Sequence, residues 1–208
     1  MSENKIKLKT IRIGFMGDSA VGKTAIIESI LGLEFNLDML TTYSERYETK
    51  FKLKNNEDIR LIILDNGGQE RFRSGAFSFM KSVHGIILTF DFTKRKSFDN
   101  LNEWLKGIKE NITNPFIVLF GNKVDMDNYN LEITSEEASK FAKEKGFAYF
   151  ETSAKTGQGI NEGLSYLVNK IYDKLMEYDD KKIDLNNIKP NNNKSNCAGN
   201  KKSKSNKK

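Results

Sequence analysis

The stretch Gly17-Asp18-Ser19-Ala20-Val21-Gly22-Lys23-Thr24 constrains this chain more than any other. It follows a short strand-like run, Ile11-Arg12-Ile13-Gly14-Phe15-Met16, and leads into Gly22–Leu31, where apolar residues recur at helical spacing. The pattern GxxxxGK[ST] between a strand and a helix makes a loop whose backbone N–H groups converge on phosphate oxygens. The helix N-terminus adds partial positive charge. Lys23 is placed to reach β- and γ-phosphates, and the Thr24 hydroxyl to ligate Mg²⁺. Gly17 through Thr24, with Ala25 behind them, form the phosphate side of a nucleotide site. A plain glycine turn gives no reason for the lysine and threonine.

Apolar runs alternate with helical patterns along the rest of the chain. Tyr47, Thr49, Phe51 and Leu53 alternate with polar residues, Asn55-Asn56 signals a turn, and Ile59–Leu64 is continuously apolar. These stretches predict an antiparallel hairpin. Further strands are expected at Gly85–Phe90, Phe116–Phe120 and Phe147–Phe150, with helices near Phe98–Glu110, Thr134–Lys145 and Ile160–Glu177. Thr134 with Glu137 makes a capping box. Apolar strands separated by amphipathic helices predict a mostly parallel sheet covered on both faces.

Three further clusters fall where strands end, the edge at which open parallel sheets bind ligands. Asp65 closes an apolar strand in Ile63-Leu64-Asp65-Asn66-Gly67-Gly68-Gln69. It supplies the carboxylate that a metal beside Thr24 needs. Gly68 can offer its N–H to a γ-phosphate with no Cβ in the way, and Gln69 is placed to orient an attacking water. Asn122-Lys123-Val124-Asp125 reads as a base-recognition loop. A carboxylate at Asp125 accepts the paired N–H donors on the edge of guanine, which adenine lacks. Asn122 braces the loop, and the stem of Lys123 covers base or ribose. Glu151-Thr152-Ser153-Ala154-Lys155 follows the last strand, where the Ala154 N–H can donate to the guanine oxygen.

With GDSAVGKT, GGQERFRS, HGIILTFDFT, GNKVD and ETSAK in this order, the chain resembles the Ras superfamily of small GTPases over roughly Leu8–Glu177, most closely the Rab branch. The resemblance implies a three-layer α/β nucleotide-binding domain of six strands, one of them an antiparallel edge strand, and five helices. It implies slow GTP hydrolysis, GTP/GDP and Mg²⁺ as cofactors, and vesicle traffic or signalling as the setting. It also implies two switch segments that bind effectors, with an exchange factor and a GTPase-activating protein as further partners. On this resemblance Thr42, or the adjacent Thr41, is the switch threonine that ligates Mg²⁺ and senses the γ-phosphate, and Phe35 packs against the guanine. Ser153 and Lys155 join Ala154 in the base site. The catalytic set is Gln69, Lys23 and Thr42; the metal set is Thr24, Thr42 and Asp65.

The chain departs from its branch in the segment after the switch threonine, at Asn66-Gly67 where the branch has Thr-Ala, and in its tail. The branch follows its switch threonine with an apolar, glycine-containing segment; here the residues are Tyr43-Ser44-Glu45-Arg46-Tyr47. This departure motivates an alternative, a non-cycling module that holds guanine nucleotide without switching. An ATP-using enzyme is a third reading, opposed by Asp125. The branch ends in prenylated cysteines, whereas the single cysteine, Cys197, lies eleven residues from the terminus in no CaaX frame.

The 208 residues carry a net charge of +6, and much of the excess sits in Lys189–Lys208, with seven lysines and no acid. The body is near neutral, so specific nucleic-acid binding is not implied. The basic tail suits weak, salt-sensitive contact with an anionic membrane. No run reaches the roughly 18 apolar residues of a membrane span, and no secretory signal core begins the chain. A cytoplasmic protein, peripheral at most on a cytosolic membrane face, is expected. The expected division is a short extension over 1–7, the nucleotide-binding domain over 8–178, and an unstructured Lys/Asn-rich tail over 179–208. His84 reads as structural, Trp104 as core packing, Glu136-Glu137 as helix capping, and Arg71 and Arg73 as ordinary residues beyond the Gln69 loop.

Overall fold

The computed structural model describes residues 9–35, 45–66, 77–126 and 130–187, with side chains described as far as Tyr178. Its strands are β1 Thr10–Met16, β2 Glu45–Lys52, β3 Asp58–Asp65, β4 Gly85–Asp91, β5 Phe116–Asn122 and β6 Ala148–Thr152. They form one sheet in the order β2-β3-β1-β4-β5-β6. The β2–β3 pair is antiparallel and the other pairs are parallel. The helices among the described residues are α1 Lys23–Ile30, α2 Arg95–Asp99, α3 Leu101–Asn111, α4 Ser135–Lys145 and α5 Ile160–Asn187. The three-layer fold with one antiparallel edge strand is the one expected.

The strand sequences explain the layers. Side chains alternate faces along a strand, so Ile11, Ile13 and Phe15 of β1 join Leu61 and Ile63 of β3 under α1 and α5. Met16, Ile62 and Leu64 point the other way, into a second cluster with Trp104, Ile108 and Ala138 from α3 and α4. β4 lies inside the sheet and is buried along its whole length. β2, at the edge, is half-exposed throughout and carries Arg46, Glu48, Lys50 and Lys52 on its outer face. Charges on an edge strand discourage pairing with other chains.

The turn signals act where the sequence put them. Asn56 takes a left-handed φ of 66° in the β2–β3 connection, and Asn55 Oδ1 accepts from the Glu57 N–H at 3.1 Å. Thr134 Oγ1 accepts from the Glu137 N–H at 3.2 Å and starts α4. The Glu137 carboxylate also takes both terminal nitrogens of Arg95, at 2.8 and 2.6 Å, tying α4 to α2.

Two boundaries differ from expectation. The helix expected near Phe98–Glu110 starts earlier and is divided at Asn100, whose side chain leaves the helix surface for Asp18. The last helix continues to Asn187, which corrects the expected unstructured tail for Asp179–Asn187. No glycine or proline interrupts Asp179–Asn187, and once a helix is nucleated each further residue adds a hydrogen bond. Polarity alone does not stop a helix that tertiary packing has already started.

His84 is structural, as its isolation suggested. Its Nδ1 accepts the Arg12 N–H at 3.1 Å, which requires the neutral ring. Burial, and then the Arg12 charge, push its pKa below 6.5. The unfolded chain therefore binds a proton more readily, so stability is full above pH 6.5 and falls on acidification through the window below it. Urea midpoints measured from pH 7 to pH 5 should drop, and His84→Asn should flatten that part of the profile.

Candidate nucleotide-binding site

The loop between β1 and α1 folds around its own lysine. Lys23 is only 5% exposed, and its Nζ donates to the carbonyls of Gly17 at 3.0 Å and Asp18 at 2.7 Å. Gly17 and Gly22 carry φ of 136° and 95°. Neither position tolerates a Cβ: at Gly17 it would sit 2.1 Å from the Thr89 carbonyl, and at Gly22 2.3 Å from Asn122 Nδ2. Ala20 also takes a positive φ, 61°, a strained choice for a non-glycine residue. Burial lowers the Lys23 pKa to about 8 against the opposing charges of Asp65 and Asp18. A buried ammonium whose bonds go to its own loop's carbonyls is suited to an incoming anion.

Asp65 ends β3 beside this loop. It is fully buried, and its Oδ2 accepts from the Thr24 hydroxyl at 2.5 Å. Its Oδ1 is buried and has no hydrogen-bond partner among the described residues. Burial raises the carboxyl pKa, while the Thr24 bond and the Lys23 charge hold it down. An ionised carboxylate with an orphaned buried oxygen, next to a hydroxyl, is unfavourable without a cation. The donor set is hard oxygen, the kind Mg²⁺ takes, so the residues present fit the metal that sequence implied.

The base loop is stapled to the phosphate loop. Asn122 Nδ2 donates to the Val21 carbonyl at 2.9 Å. Its Oδ1 accepts from the Ala154 N–H at 3.2 Å and the Thr152 hydroxyl at 3.4 Å. Lys123, at φ 71°, reaches the Ala20 carbonyl at 3.0 Å and pairs with Asp91 Oδ2 at 2.6 Å. Val124 N–H bonds the Thr152 carbonyl at 3.3 Å. Ser153 is buried, and its Oγ takes the Thr156 N–H at 3.1 Å. One asparagine therefore ties together three loops, after β1, β5 and β6.

Gly17 through Ala25, Asp65, Asn122, Lys123, Asp125, Ser153, Ala154 and Lys155 thus belong to one rim, the C-terminal edge of the parallel strands. Two details add to the expectation. The Ala154 N–H, expected on the guanine oxygen, donates here to Asn122 Oδ1. The Lys123 amine is held by Ala20 and Asp91, which fixes the stem expected to cover the base. Phe35 is 39% exposed. Thr41, Thr42, Gly67, Gly68, Gln69, Arg71, Arg73 and Cys197 lie outside the described residues, as do residues 1–7.

Sequence reasoning missed Asp91, Asn100 and the second role of Trp104. Asp91 ends β4 on the same rim as Asp65, so the rule that singled out Asp65 applies to it equally. Trp104 is fully buried, as its helical spacing indicated, yet its Nε1 donates to Asp18 Oδ1 at 2.8 Å. An apolar stripe gives no sign that one ring edge leaves the core.

A phosphate cradle with its lysine, a hydroxyl–carboxylate pair beside it and an acid-bearing loop bound to the same backbone define a guanine-nucleotide-binding α/β domain. Comparison with known proteins agrees. A model of the Ras family matches residues 12–173. Ras-related protein Rab-13 of Bos taurus is 34% identical over 183 residues, 88% of each chain. The GTP-binding protein ypt3 of Schizosaccharomyces pombe is 33% identical over 165 residues, covering 79% of this chain and 75% of that protein. Ras-related protein Rab-11B of Dictyostelium discoideum is 32% identical over 192 residues, 89% of this chain and 87% of its own. The chain belongs to the Ras family, in its Rab branch, and is a small GTPase that binds and hydrolyses GTP.

The Lys23 environment makes nucleotide affinity pH-dependent. With a free-state pKa of about 8 and a higher one beside phosphate, binding takes up a proton between the two values. GDP affinity should be flat below pH 8 and fall by up to about tenfold per pH unit above it. Isothermal titration in buffers of different ionisation enthalpy checks both the slope and the proton uptake.

Proposed function

We propose that this small GTPase is a molecular switch of intracellular vesicle traffic, binding effector proteins in its GTP state and releasing them after hydrolysis. One observation carries the reading: phosphate loop and base loop are a single hydrogen-bonded unit, through Asn122 to Val21 and Lys123 to Ala20. Nucleotide bound at one rim then contacts both ends of a common scaffold, and changes at the γ-phosphate reach the segments that follow β3 and precede β2.

In this reading Lys23 and the N–H groups of residues 17–25 neutralise the phosphates, and Asp125 selects guanine. Thr24, Asp65 and Thr42 hold Mg²⁺, which when bound offsets charge on the transferring phosphoryl group. Gln69 orients the attacking water, and Gly68 and Thr42 order their loops around the γ-phosphate. Without an arginine finger from a partner, turnover is about 10³–10⁵-fold below the stimulated rate. An exchange factor and a GTPase-activating protein complete the cycle, and Lys189–Lys208 gives weak contact with the anionic cytosolic face of a membrane. Among the described residues no helix is long and apolar enough to cross a membrane, which suits peripheral attachment.

Two measurements test this. Protein loaded with a non-hydrolysable GTP analogue should capture a set of partners that GDP-loaded protein does not; identical sets would overturn the switch. In single-turnover assays Gln69→Leu should slow hydrolysis at least about tenfold while GTP affinity stays within about twofold.

A further inference from the structure

A carboxylate within a phosphate-binding loop is an unfavourable neighbour for a nucleotide, because like charges repel strongly where water is excluded. Asp18 is such a carboxylate, and it is buried. Each of its two oxygens accepts from a neutral donor at the start of one helix. Trp104 Nε1 donates to Oδ1 at 2.8 Å and Asn100 Nδ2 to Oδ2 at 2.6 Å. The same residue's backbone carbonyl accepts the Lys23 ammonium at 2.7 Å. The side chain is thus anchored to α3 while the main chain carries the phosphate lysine.

The anchor connects to a second element. Phe77 begins the described helical turn that follows residues 67–76. Its ring lies 6.1 Å from that of Trp104, centroid to centroid. It also fills the space over Gly107, where an added Cβ would fall 2.1 Å from Phe77 Cζ. Phe77, Trp104, Asp18 and Lys23 are consecutive contacts, and a shift of Phe77 or α3 alters the seat of the carboxylate.

We propose that Asp18 is a positioning residue for nucleotide retention: α3, through Trp104 and Asn100, clamps its carboxylate away from the phosphates and thereby fixes the loop that carries Lys23. This inference rests on the nucleotide-binding reading and deepens it. It makes the packing of α3 against Phe77 a control on how fast nucleotide leaves. It also makes Trp104, the single tryptophan in the chain, a reporter of that clamp.

The test exchanges donor and acceptor. Asn100→Asp sets a carboxylate against the Asp18 carboxylate and breaks that contact while leaving the Asp18 charge in place. The double variant Asp18→Asn/Asn100→Asp restores a donor–acceptor pair there and leaves an amide oxygen for Trp104. Release of a fluorescent GDP analogue, chased with excess GDP in Mg²⁺ buffer, should be about tenfold faster in the single variant, the factor expected for losing a hydrogen bond to a charged group. It should return to within about threefold of wild type in the double variant. If Asn100→Asp does not fold, Trp104→Phe keeps a ring in the core, removes only the N–H, and carries the same tenfold expectation. The lone indole ¹H–¹⁵N resonance should shift when GDP is replaced by a non-hydrolysable GTP analogue, a response that a merely structural bond would not give. Unchanged release in the single variant, no recovery in the double variant, or an indole signal indifferent to nucleotide overturns the inference. Failure of wild-type protein to bind GDP at all would overturn the nucleotide reading as well, and is seen in the loading step itself.

Discussion

A buried ammonium organises this molecule. Lys23 sits in a loop that two left-handed glycines bend tightly around it, and its hydrogen bonds go to carbonyls of that loop. Desolvation of a charge is costly, and two carbonyl dipoles do not fully offset it, which is why the lysine pKa falls to about 8. An anion on the other side of the amine removes the deficit. The site is therefore held ready at some expense in stability, as functional sites often are.

The same tension recurs around the rim. Asp65 is buried with one oxygen bonded to Thr24 and the other without a partner among the described residues. Cation and anion deficits lie side by side, and a metal–phosphate pair answers both. Asp18 would add a third unfavourable charge, but two N–H donors hold it on the α3 side. Recognition of charge here is a matter of which buried groups already have partners and which wait for one.

Rigidity comes from asparagine and lysine staples rather than from the sheet alone. Asn122 uses both ends of its amide, donating to Val21 and accepting from Ala154 and Thr152. Lys123 bridges Ala20 and Asp91. The loops after β1, β4, β5 and β6 are thereby one body, and a ligand that spans them meets a preorganised surface and loses less entropy on binding.

The sequence by itself determined the strand–loop–helix around Gly17–Thr24, the parallel core, the β2–β3 hairpin with its Asn56 turn and the rim on which the motifs meet. These rest on local rules: side-chain period, glycine conformation and the chemistry of phosphate and guanine. Contacts between residues far apart in the chain were decided only by tertiary structure. Trp104 looks like any core residue on its helix, and nothing in its spacing tells that its indole edge reaches Asp18. The Ala154 N–H looks available for a base until Asn122 Oδ1 is seen to take it. Likewise the polar stretch Asp179–Asn187 reads as tail, yet it continues a helix that Ile160–Tyr172 has already packed on the sheet. Periodicity reports which face of an element is buried; it carries no information on which polar atom on that face finds which partner, because that choice is made across the fold.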